Sequence, residues 1–238
     1  MKILIIKTGA LGDVLRTSFI AQALKDKYNQ KNPKIFWLVS KQARAFFINN
    51  KYVDKIIISE EQNKIKNTDF DLVINLEESE EDCRFASSLK TKKIIGAFLN
   101  EKGEIDYTEE SSYWFDMSII SKFGKEKADF LKKKNKKTHR QIISKIIGIE
   151  NYQKYEPFLR LTNSQRKIAQ EFSKKRSLSS SDLIIGINTG AADRWPKSLP
   201  IEKTIKLIEE IYKKYKAKIL LFGGPDEIQR NKEIFKSL

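Results

Sequence analysis

The chain begins with an apolar run that gives way to a small-residue turn and then to a helical spacing of apolar positions. Ile3–Ile6 is typical of a buried strand, residues 7–12 contain two glycines, and apolar side chains recur three or four apart from residue 15. Strand, glycine turn and helix in this order form the first unit of an α/β nucleotide- or sugar-binding fold. Ligands of such folds bind at the carboxyl ends of the strands, so Lys7, Thr8 and Asp13 are predicted to face a ligand.

The same alternation continues through the first half of the chain. Strands are predicted at 34–39, 55–58, 71–76 and 93–98, and helices at 41–48, 80–89, 111–124 and 138–147. Gly124 and Gly148 are predicted to end helices, and Thr138 to cap one. Strands that alternate with helices indicate a parallel sheet with crossover helices.

A second α/β unit is predicted after a linker near 151–157. A helix runs from Asn163 or Ser164 to about Lys175, and strands at 183–187 and 218–222 flank a helix that has Pro200 in its first turn. The chain is thus divided into Rossmann-like domains at 1–155 and 156–238. Because the second has two predicted strands only, it is expected to be incomplete.

Composition narrows the class of protein. The 238 residues contain 46 Lys and Arg against 31 Asp and Glu, a net charge of +15. A positive field favours nucleic acid, an acidic membrane surface or phosphorylated small molecules, although a lysine-rich coding bias is an equal alternative because the charge is spread along the chain. The sequence shows no bilayer-spanning run and no signal peptide, so a cytoplasmic location is expected. The chain has one cysteine, Cys83, so it can form no internal disulfide, which fits a reducing compartment. With only one histidine, His139, beside that cysteine, a zinc site is not expected.

Three motifs resemble those of family 9 glycosyltransferases, the ADP-heptose:lipopolysaccharide heptosyltransferases. They are KTGALGDVLRT at 7–17, NTGAADRWPK at 188–197 and FGGPDE at 222–227. The resemblance spans nearly the whole chain. It implies the GT-B fold, two Rossmann-like domains with the acceptor on the first and the nucleotide sugar on the second.

On the acceptor side, the resemblance implies that Asp13 is the general base that deprotonates the acceptor hydroxyl. The alternative is a carboxylate that merely caps the helix. Lys7, with Thr8 beside it, would hold an acceptor phosphate or orient Asp13, or would be a solvated lysine at a strand end. Gly9 and Gly12 allow a tight turn and close approach of a ligand, and their spacing is not that of a dinucleotide fingerprint.

On the donor side, Thr189 and Gly190 are predicted to offer a hydroxyl and backbone N–H groups to a diphosphate. Arg194 and Lys197 would neutralise charge on the leaving nucleotide. Family members carry a lysine just before the Trp-Pro pair, whereas this chain has Arg194 there and Lys197 after the pair. Asp226 or Glu227 matches an acidic family residue near the nucleotide, or is an acid favoured by a helix start.

Two further segments have competing interpretations. Asp69-Phe-Asp71 has the form of a metal-binding motif, but its place before a strand predicts a strand-entry turn, and no metal is predicted. The basic stretch 132–140 is expected to be a solvated loop with His139 exposed, although it could touch phosphate groups of a lipid or nucleic acid. A later family motif would lie beyond Leu238, so the chain is expected to be a fragment, a truncated product or half of a split enzyme.

The sequence therefore predicts a glycosyltransferase that moves a heptose-like sugar from a nucleotide diphosphate donor, ADP-linked by resemblance, to a phosphorylated lipopolysaccharide-type acceptor. No other cofactor is implied, and peripheral contact with the inner membrane face is a further expectation. An inactive sugar- or nucleotide-binding module without a full donor site is the alternative. A nucleic-acid-binding protein ranks last, because no recognition motif is present.

Overall fold

The computed structural model describes residues 1–191 and 197–238, which form two compact units. The first unit is Met1–Thr162 and the second is Asn163–Leu238. Phe158 lies within the first unit. Its ring packs edge-on against Tyr52 at a centroid distance of 5.5 Å, and its N–H donates to Ser18 Oγ at 2.8 Å.

The first unit is built on a six-stranded sheet with strand order β3-β2-β1-β4-β5-β6. Its strands are β1 Lys2–Ile6, β2 Lys34–Val39, β3 Lys55–Ile58, β4 Leu72–Asn75, β5 Ile94–Leu99 and β6 Ile105–Tyr107. The first five run parallel, and their predicted positions are confirmed. The short strand β6, which pairs antiparallel with β5, was not predicted.

Helices cover both faces of this sheet. They are α1 Leu11–Thr17, α2 Phe19–Lys27, α3 Glu80–Ser88, α4 Ser112–Phe115, α5 Gly124–Lys134 and α6 His139–Ile146. Successive side chains of β1 point to opposite faces, so Ile3 and Ile5 pack with α2 and α6, whereas Leu4 and Ile6 pack with α3. Because β1 is covered on both sides, its ligand-facing residues must come from its carboxyl end.

Two predicted helices differ in the structure. The helix at 41–48 is a 3₁₀ segment at Ala43–Phe47. The helix predicted at 111–124 ends as α4 at Phe115, after one turn. Further along, helical hydrogen bonding is replaced by side-chain bonds: Ser118 Oγ accepts the N–H of Ile120 and Ser121 Oγ accepts the N–H of Phe123, each at 3.2 Å. Gly124, predicted to stop that helix, instead has φ +76° and begins α5.

The second unit contains, in its described residues, a parallel pair of strands and three helices. They are α7 Asn163–Lys175, β7 Ile184–Asn188, α8 Ile201–Tyr215, β8 Lys218–Phe222 and α9 Ile228–Lys236. The two strands predicted at 183–187 and 218–222, and the helix between them, are confirmed. The carboxyl ends of β7 and β8 lie side by side, since Asn188 pairs with Phe222.

Candidate functional site

The turn after β1 is organised by Glu77, which follows the neighbouring strand β4. Its Oε1 accepts the N–H groups of Thr8 and Gly9, each at 2.7 Å, and the Lys7 ammonium at 2.8 Å. The Lys7 and Glu77 side chains are only 11% and 13% exposed. Lys7 is therefore an ion-pair partner that fixes the turn, and it bonds Glu77 rather than Asp13.

Further polar contacts hold this arrangement in place. The buried Asn75 accepts the N–H of Glu77 at 3.1 Å and donates to the carbonyl of Ala97 at 2.8 Å, which ties β4 to β5. Thr8 Oγ1 donates to Asp82 Oδ2 at 3.3 Å. Burial raises the pKa of the Asp82 carboxyl. The predicted residues Lys7, Thr8 and Gly9 are thus brought together on one carboxylate.

Backbone strain occurs where this turn enters α1. Ala10 has φ +41°, a value that residues with a Cβ seldom adopt, and its carbonyl accepts the N–H of Asp13 at 2.7 Å. The strained residue brings Gly12 and Asp13 into the first turn of α1. Gly12 is exposed, and a Cβ placed there would meet no atom within 4 Å, so a ligand has space to approach the backbone.

Asp13 has an accessible carboxylate. Its side chain is 38% exposed and forms an ion pair with Arg16 at 3.0 Å, one turn further along α1. The capping residue of this helix is Ala10, and no side chain caps it, so Asp13 is not the N-cap. The carboxylate is therefore available to a ligand in the way a base requires.

His139 lies against the same region, in contrast to the exposed position expected from the sequence. Thr138 caps α6 through a capping box with Gln141, as predicted for the helix start, and this places His139 in the first turn. Its ring packs edge-on against Trp114 at 5.5 Å. Burial, with the positive charges of Arg16 and Lys7, lowers the pKa of His139 to about 4. The imidazole is therefore neutral at physiological pH.

This shift predicts a pH dependence of stability. Between pH 6.5 and 4 the unfolded chain takes up a proton at His139 that the folded chain does not, so the free energy of unfolding falls as the pH is lowered. We expect His139→Gln to lose less stability than wild type between pH 7.5 and 5. Urea unfolding midpoints of both proteins at the two pH values measure these losses. Groups that titrate in both proteins contribute equally, so they cancel in the difference between wild type and variant. Equal losses would contradict the prediction.

A second carboxylate, Glu78, connects this region to the segment after α4. Burial raises the pKa of Glu78, while hydrogen bonds from the Ile119 N–H and the Ser118 hydroxyl and the charge of Lys7 oppose that shift. The segment that follows α4 is therefore held against the carboxyl end of β4. Ile119 itself projects into solvent.

In the second unit, three predicted donor-side residues lie at the carboxyl ends of β7 and β8. Thr189 is buried and donates its hydroxyl to Asn231 on α9. The N–H of Gly190 bonds Asn188 Oδ1 at 3.2 Å. The Glu227 carboxylate accepts the N–H of Gly224 at 2.6 Å and lies directly over Gly190. Thr189, Gly190 and Glu227 therefore form one small cluster.

Gly190 is predicted to be intolerant of a side chain. A Cβ there would lie 2.1 Å from Glu227 Oε1, so an alanine would displace Glu227 from Gly224. We expect Gly190→Ala to cost about 1–2 kcal/mol, the usual cost of a lost cap. A double-mutant cycle with Glu227→Ala, measured by urea unfolding, checks the cause: the double variant is expected to be no less stable than Glu227→Ala alone. Additive losses would show that the contact is not the reason.

The other residues predicted on the donor side are Arg194, Lys197 and Asp226. Arg194 lies outside the described residues, and Lys197 and Asp226 are exposed. Asp71 accepts the N–H of Lys2 at 2.9 Å and pairs with Lys92 at 2.6 Å, which confirms the strand-entry turn. Across 1–191 and 197–238, no group of three or more His, Cys, Asp or Glu side chains is arranged to hold a metal ion.

Glu77 is the important residue that sequence reasoning missed. It follows β4 as Lys7 follows β1, and these two strands pair in parallel, with Ile6 opposite Asn75. The sequence did contain a signal for this ion pair: an acidic residue follows one strand and a lysine follows another. The order of the strands in the sheet was needed to use it, because 70 residues separate Lys7 and Glu77.

Comparison with solved structures identifies the fold. The structure of a family 9 glycosyl transferase from Veillonella parvula matches 100% of this chain and 67% of its own, with a TM-score of 0.77 and 18% identity. ADP-heptose LPS heptosyltransferase II of E. coli matches 100% of this chain and 69% of its own, at TM-score 0.62 and 18% identity. E. coli heptosyltransferase WaaC with ADP-2-deoxy-2-fluoro heptose matches 98% of this chain and 73% of its own, at TM-score 0.53 and 18% identity. No protein-family model and no curated protein sequence matches the chain.

These matches confirm the GT-B-like α/β fold that was predicted from the sequence. The chain has the fold of family 9 glycosyltransferases over its full length and spans 67–73% of the three solved chains compared with it. The resemblance based on the three motifs is thus confirmed at the level of the fold. Within the described residues, no helix has both the length and the apolar character needed to cross a bilayer.

Proposed function

We propose that this chain belongs to a glycosyltransferase that moves a heptose-like sugar from an ADP-linked donor to a phosphorylated glycolipid acceptor of the lipopolysaccharide type. The observation that supports the proposal is the similarity of fold to the Veillonella structure over the whole chain. The chain also has the Gly12-Asp13 motif in the turn after β1. The E. coli neighbours are heptosyltransferases, one of them solved with an ADP-heptose analogue. These two neighbours supply the sugar and the nucleotide of the proposal.

The proposed reaction uses the accessible carboxylate of Asp13. The acceptor hydroxyl oxygen attacks the anomeric carbon of the donor, the bond from that carbon to the diphosphate oxygen breaks, and ADP leaves with the electron pair. Asp13 takes the hydroxyl proton. A hydroxyl gives up its proton far more readily once its oxygen has begun to bond to carbon, so proton transfer is expected to follow bond formation rather than precede it.

The donor would be held by the cluster at the ends of β7 and β8. Thr189 and the backbone of Gly190 would meet the diphosphate, with Lys197 and Arg194 supplying positive charge. Glu227 lies over Gly190, so it would have to move aside or meet the nucleotide. The protein is proposed to act at the cytoplasmic side of a membrane that bears its acceptor, with no metal and no nucleic acid involved.

Calorimetric titration and a transfer assay test the proposal together. The chain is titrated with ADP and with an ADP-sugar, and transfer is followed with a phosphorylated glycolipid acceptor. We expect ADP to bind and Lys197→Met to weaken binding by about tenfold, the order expected when one charged contact to a phosphate is lost. Binding without transfer would favour the inactive binding module. A folded chain, by circular dichroism, that binds no nucleotide would overturn the donor assignment.

A further inference from the structure

An exposed apolar and basic surface lies on the first unit, in the segment between α4 and α6. Its apolar members are Ile119, Phe123 and Phe130, which are 90%, 59% and 47% exposed. We call these three side chains, with the lysines of α5, the basic–apolar surface. Exposed apolar side chains that lie together are typical of a surface that contacts a partner, and in this segment they lie beside a cluster of lysines.

The helix α5 presents part of this surface as one stripe. Phe123, Lys127, Phe130 and Lys134 are spaced four, three and four apart, which aligns them along one side of the helix. The Lys127 and Lys134 ammonium groups lie 5.4 and 4.4 Å from the centre of the Phe130 ring. Ala128, on the other side, is buried against the unit. The stripe therefore faces solvent while the helix is anchored by its opposite face.

Most of the positive charge of this segment is uncompensated. Residues 118–137 contain eight lysines and two acidic residues. Among the described parts of the chain, a salt bridge is formed by Lys122, to Asp106, but by none of the lysines of α5. Exposed lysines beside exposed apolar side chains are complementary to a partner that has an anionic outer layer over an apolar interior.

We propose that the basic–apolar surface docks the protein onto an anionic lipid bilayer. Ile119, Phe123 and Phe130 enter the boundary between headgroups and acyl chains, and the lysines of α5 face the headgroup phosphates. Ile119, the most exposed of the three, favours a bilayer over a nucleic acid, because an aliphatic side chain has no ring on which a base could stack.

The position of the surface relates it to the candidate acceptor site. The Ile119 backbone lies near the Glu78 carboxylate, so the most exposed apolar residue adjoins the carboxyl end of β4. A bilayer in contact with Ile119 would bring a lipid-borne acceptor to this end of the sheet. This link to an acceptor rests on the proposed function, whereas the docking itself does not.

Co-sedimentation of the full chain with lipid vesicles tests the proposal. We expect binding to phosphatidylcholine vesicles that contain phosphatidylglycerol, no binding to phosphatidylcholine alone, and weaker binding at higher salt. The triple variant Ile119→Ser, Phe123→Ser, Phe130→Ser keeps the net charge and is expected to bind at least about tenfold more weakly. Its matched control, Ile168→Ser, Phe172→Ser, Phe235→Ser, removes exposed apolar side chains of the second unit and is expected to bind like wild type.

A charge series completes the test. Glutamine at Lys127, Lys133 and Lys134 is expected to weaken binding at least about tenfold, since each lysine near an anionic surface contributes. Glutamine at exposed lysines elsewhere on the first unit, namely Lys51, Lys66 and Lys102, is expected to have a much smaller effect. Equal effects of surface and control variants would overturn the proposal. So would binding to DNA or RNA that these variants abolish while vesicles are not bound. The assay contains no donor or acceptor, so its failure leaves transfer to a soluble acceptor untouched.

Discussion

Replacing Asp13 with asparagine is expected to lower the rate of sugar transfer by about 10²- to 10⁴-fold, the usual contribution of a positioned general base. Asparagine keeps the size and polarity of the side chain but cannot take the proton of the acceptor hydroxyl. The loss is expected in kcat, with little change in the affinity for donor, because Asp13 is assigned to the acceptor side. Initial rates at saturating donor and acceptor measure it.

The fold should survive this change. The Asp13–Arg16 pair is half-exposed, and such pairs contribute at most about 1 kcal/mol. Glu202→Gln is the matched control: Glu202 is also an exposed acid in the first turn of a helix, α8, so it reproduces the loss of a favourable helix-end charge. Transfer by Asp13→Asn at the wild-type rate would remove Asp13 from the mechanism. An equal loss of activity in Glu202→Gln would point to a general effect on folding.

Replacing Glu77 with alanine is expected to give the largest loss of stability, about 3–5 kcal/mol, the cost of removing one partner from a buried ion pair. The substitution leaves the Lys7 ammonium, which is 11% exposed, without its partner and removes the acceptor of the Thr8 and Gly9 N–H groups. For a chain of this size the melting temperature would fall by roughly 10 °C. Thermal and urea unfolding measure the change.

Two further variants isolate the cause. Glu61→Ala breaks a pair with Lys64 of similar length, 2.6 Å, but on the surface, and is expected to change stability by less than about 1 kcal/mol. The double variant Lys7→Met, Glu77→Gln removes both charges and keeps an oxygen for the two N–H groups. It is expected to recover more than half of the loss. A Glu77→Ala protein as stable as Glu61→Ala would show that the turn after β1 does not depend on this carboxylate.

Local sequence patterns determined most of the elements of this protein. The strands at β2, β3 and β8 begin and end where the apolar runs do, and α7 covers the predicted range. Thr138 and Gln141 encode the start of α6 within four residues, since a capping box is made entirely of neighbours. Such features could be predicted because the atoms that stabilise them are close together in sequence.

The same local patterns failed where two nearby interactions compete. The apolar spacing at 111–124 favours a helix, yet α4 ends at Phe115, and the hydroxyls of Ser118 and Ser121 accept backbone N–H groups in the segment that follows. Gly124 was correctly expected at a break in helical structure, but the sequence did not show that a new helix, α5, begins there. In the folded unit α5 buries Ala128, a contact that the local pattern does not contain.

By itself the sequence determined the order along the chain of the five parallel strands and of β7 and β8, the position of the turn motif after β1 and the excess of positive charge, because each depends on neighbouring residues or on composition. Only the tertiary structure decided the partner of Lys7, the half-buried and neutral state of His139 and the grouping of Glu227 with Gly190. These depend on which strands lie side by side and which helix packs on them. The physical reason is that burial and pairing are properties of residues far apart in the chain, and folding alone brings them together.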